Sequence, residues 1–138
     1  MRLHVIARGR IGRGPEAELV ARYAKRLPAL ALTELGDAAP LPEAAPHSRT
    51  VVLDERGSAL STRAFADRLA AWRDDGVREV RFLIGAADGH PQATRDAADL
   101  LLSLGPATWP HLLVRAMLAE QLYRAMSLLA GHPYHRDG

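Results

Sequence analysis

The stretch VREVRFLIGAADG, residues 77–89, contains the pattern that decides the fold. Its first part is rich in Val, Ile, Leu and Phe and is typical of a buried strand, whereas Gly85 and Gly89 mark a tight turn. Pro91 then opens a helical segment, because proline suits the first helical turn. A strand that runs through a glycine turn into a helix is the repeating unit of a parallel α/β sheet.

The rest of the chain repeats this alternation. Three further strands are predicted at residues 2–8, 29–36 and 50–57. Helices are predicted at residues 15–28, 61–75, 91–105 and 111–131, and a proline-rich irregular connection at 37–48. We therefore expect residues 1–138 to form a single α/β domain whose mostly parallel sheet is covered by helices on both faces.

Composition excludes several protein classes. With 48% hydrophobic and 25% charged residues, the chain is an ordinary globular protein. It has no cysteine, and therefore neither disulfides nor thiolate metal ligands. No segment has the length of a secretory signal or a membrane-spanning helix, so we expect a soluble, cytoplasmic protein without membrane contacts.

Almost all basic residues of the chain are arginines. The net charge is only +2, and Lys25 is the only lysine among 18 basic side chains. Arginine suits phosphate and nucleobases, but a general compositional bias explains this usage equally well. Arginine content alone is therefore weak support for nucleic-acid binding.

Ligands of open parallel sheets bind at the carboxyl ends of the strands, and three loops of this chain lie there. They are the loop after Leu53, the segment GAADG (85–89) after Ile84, and the segment LGPATWP (104–110) before the last helix. Two of them have a plain structural alternative. The glycine loop at 85–89 lacks the pattern of a phosphate or dinucleotide site, so it is also explained as a tight turn. Gly105 either caps a preceding helix or opens a loop whose backbone binds an adenine edge between Leu104 and Trp109.

Polar and ionisable side chains are concentrated near the end of the chain. Eight such side chains fall between residues 111 and 136: His111, Arg115, Glu120, Tyr123, Arg124, Tyr134, His135 and Arg136. Glu120 and Arg124 have the spacing of a helical ion pair. His132 and His135 flank a proline outside the helix, and no carboxylate has a matching position, so we expect no metal site.

Four segments read together carry a family resemblance. TVVLDERG (50–57), FLIGAADG (82–89), TWPHLLVRAMLAEQLYRA (108–125) and HPYHR (132–136) closely resemble the small bacterial RlmH proteins of the SPOUT methyltransferase superfamily. The resemblance implies an S-adenosylmethionine-dependent enzyme that methylates N3 of a pseudouridine in helix 69 of 23S rRNA, in the 50S subunit or the 70S ribosome. It also implies a homodimer and a C-terminal trefoil knot that holds the cofactor.

The resemblance also assigns residues. Eight positions match the family's cofactor contacts: Leu53, Gly85, Leu104, Gly105, Pro106, Ala107, Thr108 and Trp109. The positions that match its RNA-facing and dimer-facing surface include His111, Arg115, Tyr134, His135 and Arg136. For proton removal from the pseudouridine we expect His135 as the base, with Arg124 or Arg136 stabilising the developing anion.

The chain departs from the family pattern at two positions. Ala86 stands where a second glycine is common, and Asp88 where Glu is frequent. In the tail, Pro133 is expected to turn the chain out of the last helix, and only Asp137 and Gly138 are expected to be loose.

Other functions remain open from the sequence alone. A non-catalytic, ribosome-associated RNA-binding module would keep the basic groups without needing all three loops. A SPOUT methyltransferase with another RNA target, or a generic nucleotide-binding enzyme, would keep the loops.

Overall fold

A computed structural model describes residues 1–137, and Gly138 lies outside the described residues. Five strands form one sheet in the order β2-β1-β4-β3-β5, and every pairing within it is parallel. The strands are β1 (Arg2–Arg8), β2 (Leu30–Leu35), β3 (Ser48–Ser58), β4 (Glu79–Ile84) and β5 (Leu100–Leu102). The helices are α1 (Pro15–Lys25), α2 (Thr62–Asp74), α3 (Gln92–Asp96) and α4 (His111–Leu129). The predicted α/β class is confirmed.

The helix starts follow local chemistry. Pro15 opens α1, and Glu16 and Glu18 place negative charge in its first turn. Ser61 caps α2, since its hydroxyl accepts a hydrogen bond from the Ala64 N–H at 3.1 Å.

The prediction of one helix over residues 91–105 was wrong. Only Gln92–Asp96 is helical, and Leu100–Leu102 forms β5 beside β3. Asp99 directs the chain into the sheet: its carboxylate accepts from the Thr50 N–H at 2.8 Å, and its own N–H donates to the Thr50 carbonyl at 2.9 Å. The element immediately before Gly105 is strand β5, not a helix, so the interpretation of this glycine as a helix cap was wrong too.

The two faces of the sheet are buried unequally. On one face, α2 and α4 pack over Leu3, Val51 and Phe82, and α4 also contacts α1. On the other face, Ile6, Val52 and Leu83 form a small cluster covered by residues such as Leu41 and Leu101. The connection at 37–48 therefore helps to cover the sheet, although it is irregular as predicted.

The end of β3 crosses closely over β5. A Cβ atom at Gly57 would lie 2.5 Å from the Leu101 carbonyl oxygen and 2.9 Å from the Leu102 nitrogen. The register shifts here, because both Leu53 and Ser58 pair with Leu102. The trefoil knot stays a prediction.

Within residues 1–137, none of the helices combines the length and hydropathy needed to cross a bilayer.

Candidate active site

A cavity of about 500 Å³ opens at the carboxyl edge of the sheet. Its wall includes seven of the eight predicted cofactor residues: Leu53, Gly85, Leu104, Gly105, Ala107, Thr108 and Trp109. Pro106, the eighth, is not part of the wall, although both of its neighbours are. The second half of β3 and the loops that follow β4 and β5 therefore enclose one space. The prediction of a loop directly after Leu53 was wrong, because the strand continues to Ser58.

The glycine loop after β4 is compact because residue 85 has no side chain. A Cβ atom there would lie 3.1 Å from the backbone carbon of Gly89 and 3.2 Å from Nε2 of His90. The loop closes through a hydrogen bond from the Gly89 N–H to the Ala86 carbonyl at 2.9 Å. Ala86 and Asp88, the two departures from the family pattern, both lie in the cavity wall.

His90 is a wall residue that sequence reasoning missed. Its Nε2 lies 3.2 Å from the Leu83 carbonyl oxygen. Burial is the main cause that lowers the pKa of His90 below its ordinary value, so the imidazole is neutral at pH 7. Its position immediately after the glycine turn is the only sequence signal that could have indicated it.

The loop after β5 is held by a buried serine that sequence reasoning also missed. The Ser103 hydroxyl donates to the Gly105 carbonyl at 2.8 Å and accepts from the Gly105 N–H at 3.1 Å. Further along, the Trp109 indole N–H donates to the Leu104 carbonyl at 3.4 Å, and Trp109 remains 42% exposed at the cavity. Thr108 ties the loop to β3 by donating to Glu55 at 3.3 Å.

The cavity carries more acidic than basic side chains. Asp54, Glu55 and Asp88 line it together with Arg56 and Arg95. Arg95 Nε lies 2.6 Å from a carboxylate oxygen of Asp54. Burial opposes ionisation of Asp54, but the Arg56 N–H and the Arg95 guanidinium outweigh it and lower the pKa of Asp54. A cavity lined by apolar side chains and a small excess of acidic ones suits a small, partly apolar ligand that bears positive charge, and the volume is typical of ligand sites.

Glycine, not proline, ends the last helix. Gly131 has φ +75°, its N–H donates to the Leu128 carbonyl at 3.1 Å, and the His132 N–H donates to the Ser127 carbonyl at 2.9 Å. This pair of bonds is the Schellman motif of helix ends. The role predicted for Pro133 was therefore wrong: the chain has already left the helix when it reaches this residue.

The tail beyond α4 folds back against the helix. The Tyr134 ring meets the Tyr123 ring edge-on at 4.7 Å, and its hydroxyl donates to Glu120 at 3.2 Å. Burial, with hydrogen bonding to Tyr23 and Glu120, raises the pKa of Tyr134 to about 12. The phenol therefore stays protonated at neutral pH. The predicted Glu120–Arg124 ion pair is present at 2.7 Å.

His135 lies between a cation and an anion. Arg124 Nη1 lies 3.3 Å from His135 Nδ1, and an Asp137 oxygen lies 2.7 Å from His135 Nε2. Because a guanidinium only donates, Nδ1 of the neutral ring accepts and Nε2 carries the proton toward Asp137. The other Asp137 oxygen accepts from Arg63 Nε at 2.7 Å.

Asp137 is thus not a loose end, contrary to prediction. Hydrogen bonds from Arg63 and then from His135 lower the pKa of Asp137 to about 2. Arg136 is exposed, and within residues 1–137 it forms no ion pair. Gly138, also expected to be loose, lies outside the described residues.

One chain does not bring the tail to the cavity. His111 lines the cavity at the start of α4, whereas the tail contacts Glu120 and Arg124 further along the helix. Glu120 lies nine positions after His111 in the helix, which is about 14 Å along the axis. None of the tail residues described, up to Asp137, lines the cavity.

The guanidinium group of Arg115 is bound by groups of the same chain. It is only 6% exposed, pairs with Glu34 at 2.8 Å, and donates to the carbonyls of Arg8 at 2.7 Å and Gly9 at 2.8 Å. This placement argues against the predicted RNA contact by Arg115 and indicates a structural role. In the described part of the chain, no group of three or more His, Asp or Glu side chains is arranged to hold a metal ion.

Comparison with known proteins gives a consistent result over the whole chain. A family model described as "Predicted SPOUT methyltransferase" matches residues 1–135. A protein of Novosphingobium aromaticivorans named "Ribosomal RNA large subunit methyltransferase H" is 64% identical over all of both chains. Proteins of the same name from Rhizorhabdus wittichii and Zymomonas mobilis are 63% and 57% identical, again over the full length of both chains. The chain therefore belongs to the SPOUT methyltransferase family.

Proposed function

We propose that this protein is the S-adenosylmethionine-dependent methyltransferase that modifies N3 of a pseudouridine in helix 69 of bacterial 23S rRNA. The observation that carries the proposal is the single cavity built by the second half of β3 and the loops after β4 and β5. The names of the full-length relatives, which designate large-subunit rRNA methyltransferases, support the choice of substrate. The proposal treats residues 1–138 as one domain, and the match of the family model to residues 1–135 supports this.

The cavity wall fits the proposed methyl donor. Leu53, Leu104 and Trp109 offer apolar surface to an adenine ring, and the Leu104–Trp109 loop offers backbone groups to its edge. The carboxylates of Asp54, Glu55 and Asp88 suit a positively charged ligand. When bound, S-adenosylmethionine supplies an activated methyl group on a sulfonium.

The tail residues supply the remaining chemistry in this proposal. N3 of pseudouridine must lose a proton before it can accept a methyl group, and His135 is the proposed base. Its Nδ1 lone pair points to Arg124 in the described chain. If Arg124 turns from His135 toward the uracil oxygens, it frees Nδ1 to accept the proton and stabilises the developing anion. Arg136, exposed beside His135, is the proposed alternative stabiliser.

The distance between tail and cavity favours a homodimer. In a single chain His135 and the cavity are apart, so the tail of a second copy is the proposed neighbour of each cavity. An apolar groove of about 530 Å³ between α1 and α4, lined by residues such as Leu19, Leu113 and Met117, is the proposed contact surface.

The proposed substrate is the assembled 50S subunit or 70S ribosome, because a chain of 138 residues with a net charge of +2 has little capacity to bind naked RNA. The test is methyl transfer from labelled S-adenosylmethionine to ribosomes that lack the modification. Incorporation into 23S rRNA, with far less into an isolated hairpin, is the expected result. Equal labelling of hairpin and ribosome would contradict the need for the assembled ribosome.

The proposal competes with a non-catalytic RNA-binding module. Calorimetry distinguishes them, because only the enzyme requires a site for S-adenosylmethionine. Absence of cofactor binding would favour the module.

A further inference from the structure

The loop between β1 and α1, residues 9–14, is exposed but tightly held. The Gly9 N–H donates to the Leu35 carbonyl at 2.7 Å, and the Ile11 N–H donates to the Glu34 carboxylate at 2.7 Å. Buried Arg115 binds the same Glu34 oxygen and the Gly9 carbonyl. The loop is thus fixed by a polar clamp, formed by Glu34 and Arg115, that joins β1, β2 and α4.

Two arginines project from this clamped loop without an assigned role. Arg10 and Arg13 are exposed, and within residues 1–137 neither side chain forms an ion pair or a hydrogen bond. Their neighbour Arg8 behaves differently, since its guanidinium donates to the Gly36 and Ala39 carbonyls at 2.8 and 2.7 Å. Positive charge at Arg10 and Arg13 therefore remains available to a ligand.

The loop lies at the edge of the sheet that carries the cavity. Strands β1 and β4 are parallel neighbours, and Ala7 pairs with Ile84. Neighbouring strands are about 4.8 Å apart, so the chain leaves β1 at Gly9 close to Gly85, which lines the cavity. The surface between the arginines is open, because nothing lies within 4 Å of the Cβ position of Gly12, whose φ is +77°.

We propose that the β1–α1 loop is an RNA-backbone clamp in which Arg10 and Arg13 bind phosphates next to the nucleotide that receives the methyl group. This inference rests on the proposed function for the identity of the RNA. Arginine matches phosphate through two parallel N–H donors. The hydrogen bonds to Gly9 and Ile11 hold the backbone of the loop, which lowers the entropic cost of presenting both arginines to RNA.

The test compares two double variants that remove equal charge. The first variant combines Arg10→Ala and Arg13→Ala and removes both positive charges from the loop. Arg73→Ala with Arg78→Ala removes two exposed arginines from the opposite edge, near the end of α2 and the start of β4. Each protein is titrated with 50S subunits and with a fluorescein-labelled helix 69 hairpin over a range of salt concentrations, and S-adenosylmethionine binding is measured by calorimetry.

The loop variant is expected to bind both RNAs more weakly, and its plot of log affinity against log salt should be shallower by about 1.4 to 1.8, the change for two lost phosphate contacts. Its KM for ribosomes should rise while kcat and cofactor affinity stay near wild type. The control variant should change none of these. A loop variant with the salt slope and affinity of the control would overturn the inference. If wild type binds RNA through the loop but transfers no methyl group, the inference stands and the proposed function fails.

Discussion

At the scale of single residues, His135 is defined by the groups on either side of it. Arg124 faces Nδ1 and Asp137 faces Nε2, so the chain selects one tautomer of the neutral imidazole. Arg63 in turn holds Asp137. These contacts assign Asp137 a positioning role for the proposed base.

Replacing Asp137 tests this role. A base contributes about 10²- to 10⁴-fold to a rate, and Asp137→Asn should forfeit part of it, lowering kcat by about tenfold or more. Thermal stability and cofactor affinity should stay unchanged, because Asp137 is exposed. Asp74→Asn is the matched control, since Asp74 also forms an exposed pair with an arginine, Arg73. Wild-type kcat in Asp137→Asn would remove the positioning role.

The pH dependence of the Asp137 contact follows from its lowered pKa. The contact stabilises the tail fully above the ordinary value of 3.8 and is lost as the pH falls toward about 2. The defect of Asp137→Asn should therefore be the same across the neutral range, where Asp137 is ionised.

Gly57 is the residue where a methyl group should be least tolerated. Its Cβ position is blocked by the backbone of Leu101 and Leu102, which cannot move without disturbing β5. Gly57→Ala should lower the free energy of unfolding by about 1 to 3 kcal/mol. Gly36→Ala is the control, since nothing lies within 4 Å of its Cβ position. Equal stabilities in chemical denaturation would show that the crossing of β3 and β5 is looser than described.

At the scale of elements, the loop after β5 connects the sheet to α4 and lines the cavity. Trp109 is 42% exposed there, whereas the other tryptophan, Trp72, is buried at 8%. Binding of S-adenosylmethionine should change the fluorescence of Trp109 and leave that of Trp72 unchanged.

Removing the Trp109 ring should weaken that binding. Loss of roughly 1.5 to 3 kcal/mol of apolar burial corresponds to about a ten- to hundredfold lower affinity in Trp109→Ala. The control is Trp72→Phe, which should keep both the fluorescence response and the affinity. A Trp109→Ala protein with wild-type affinity would exclude the indole from the cofactor site.

Sequence patterns predicted four of the five strands and the start of every helix to within about one residue. They missed β5 because three leucines after a short helix read equally well as its continuation. Ser103 and His90 were missed for another reason: their roles depend on hydrogen bonds to Gly105 and Leu83, which no periodicity encodes.

At the scale of the whole molecule, residues close in sequence are divided between two places. His111 belongs to the cavity and His135 to the tail docked on α4, although the sequence pattern placed them in one cluster. Burial of Arg115 against β1 likewise came from the tertiary fold, which no local pattern revealed.

Deleting residues 134–138 tests the proposed division of labour. The truncated protein should retain cofactor affinity and lose methyl transfer, because the cavity lacks tail residues. Mixing it with Trp109→Ala protein should restore part of the activity if tails act across a homodimer, since mixed dimers contain one intact cavity and one intact tail. Lost cofactor binding in the truncated protein would show instead that the tail shapes the cavity.

The most direct test of the central claim is mass spectrometry of 23S rRNA. Ribosomes from a strain that lacks this protein are incubated with the purified protein and S-adenosylmethionine, and the helix 69 fragment is analysed. We predict one additional methyl group on N3 of a pseudouridine in that fragment. An unmodified fragment, from a reaction in which the protein demonstrably binds S-adenosylmethionine, would contradict the account.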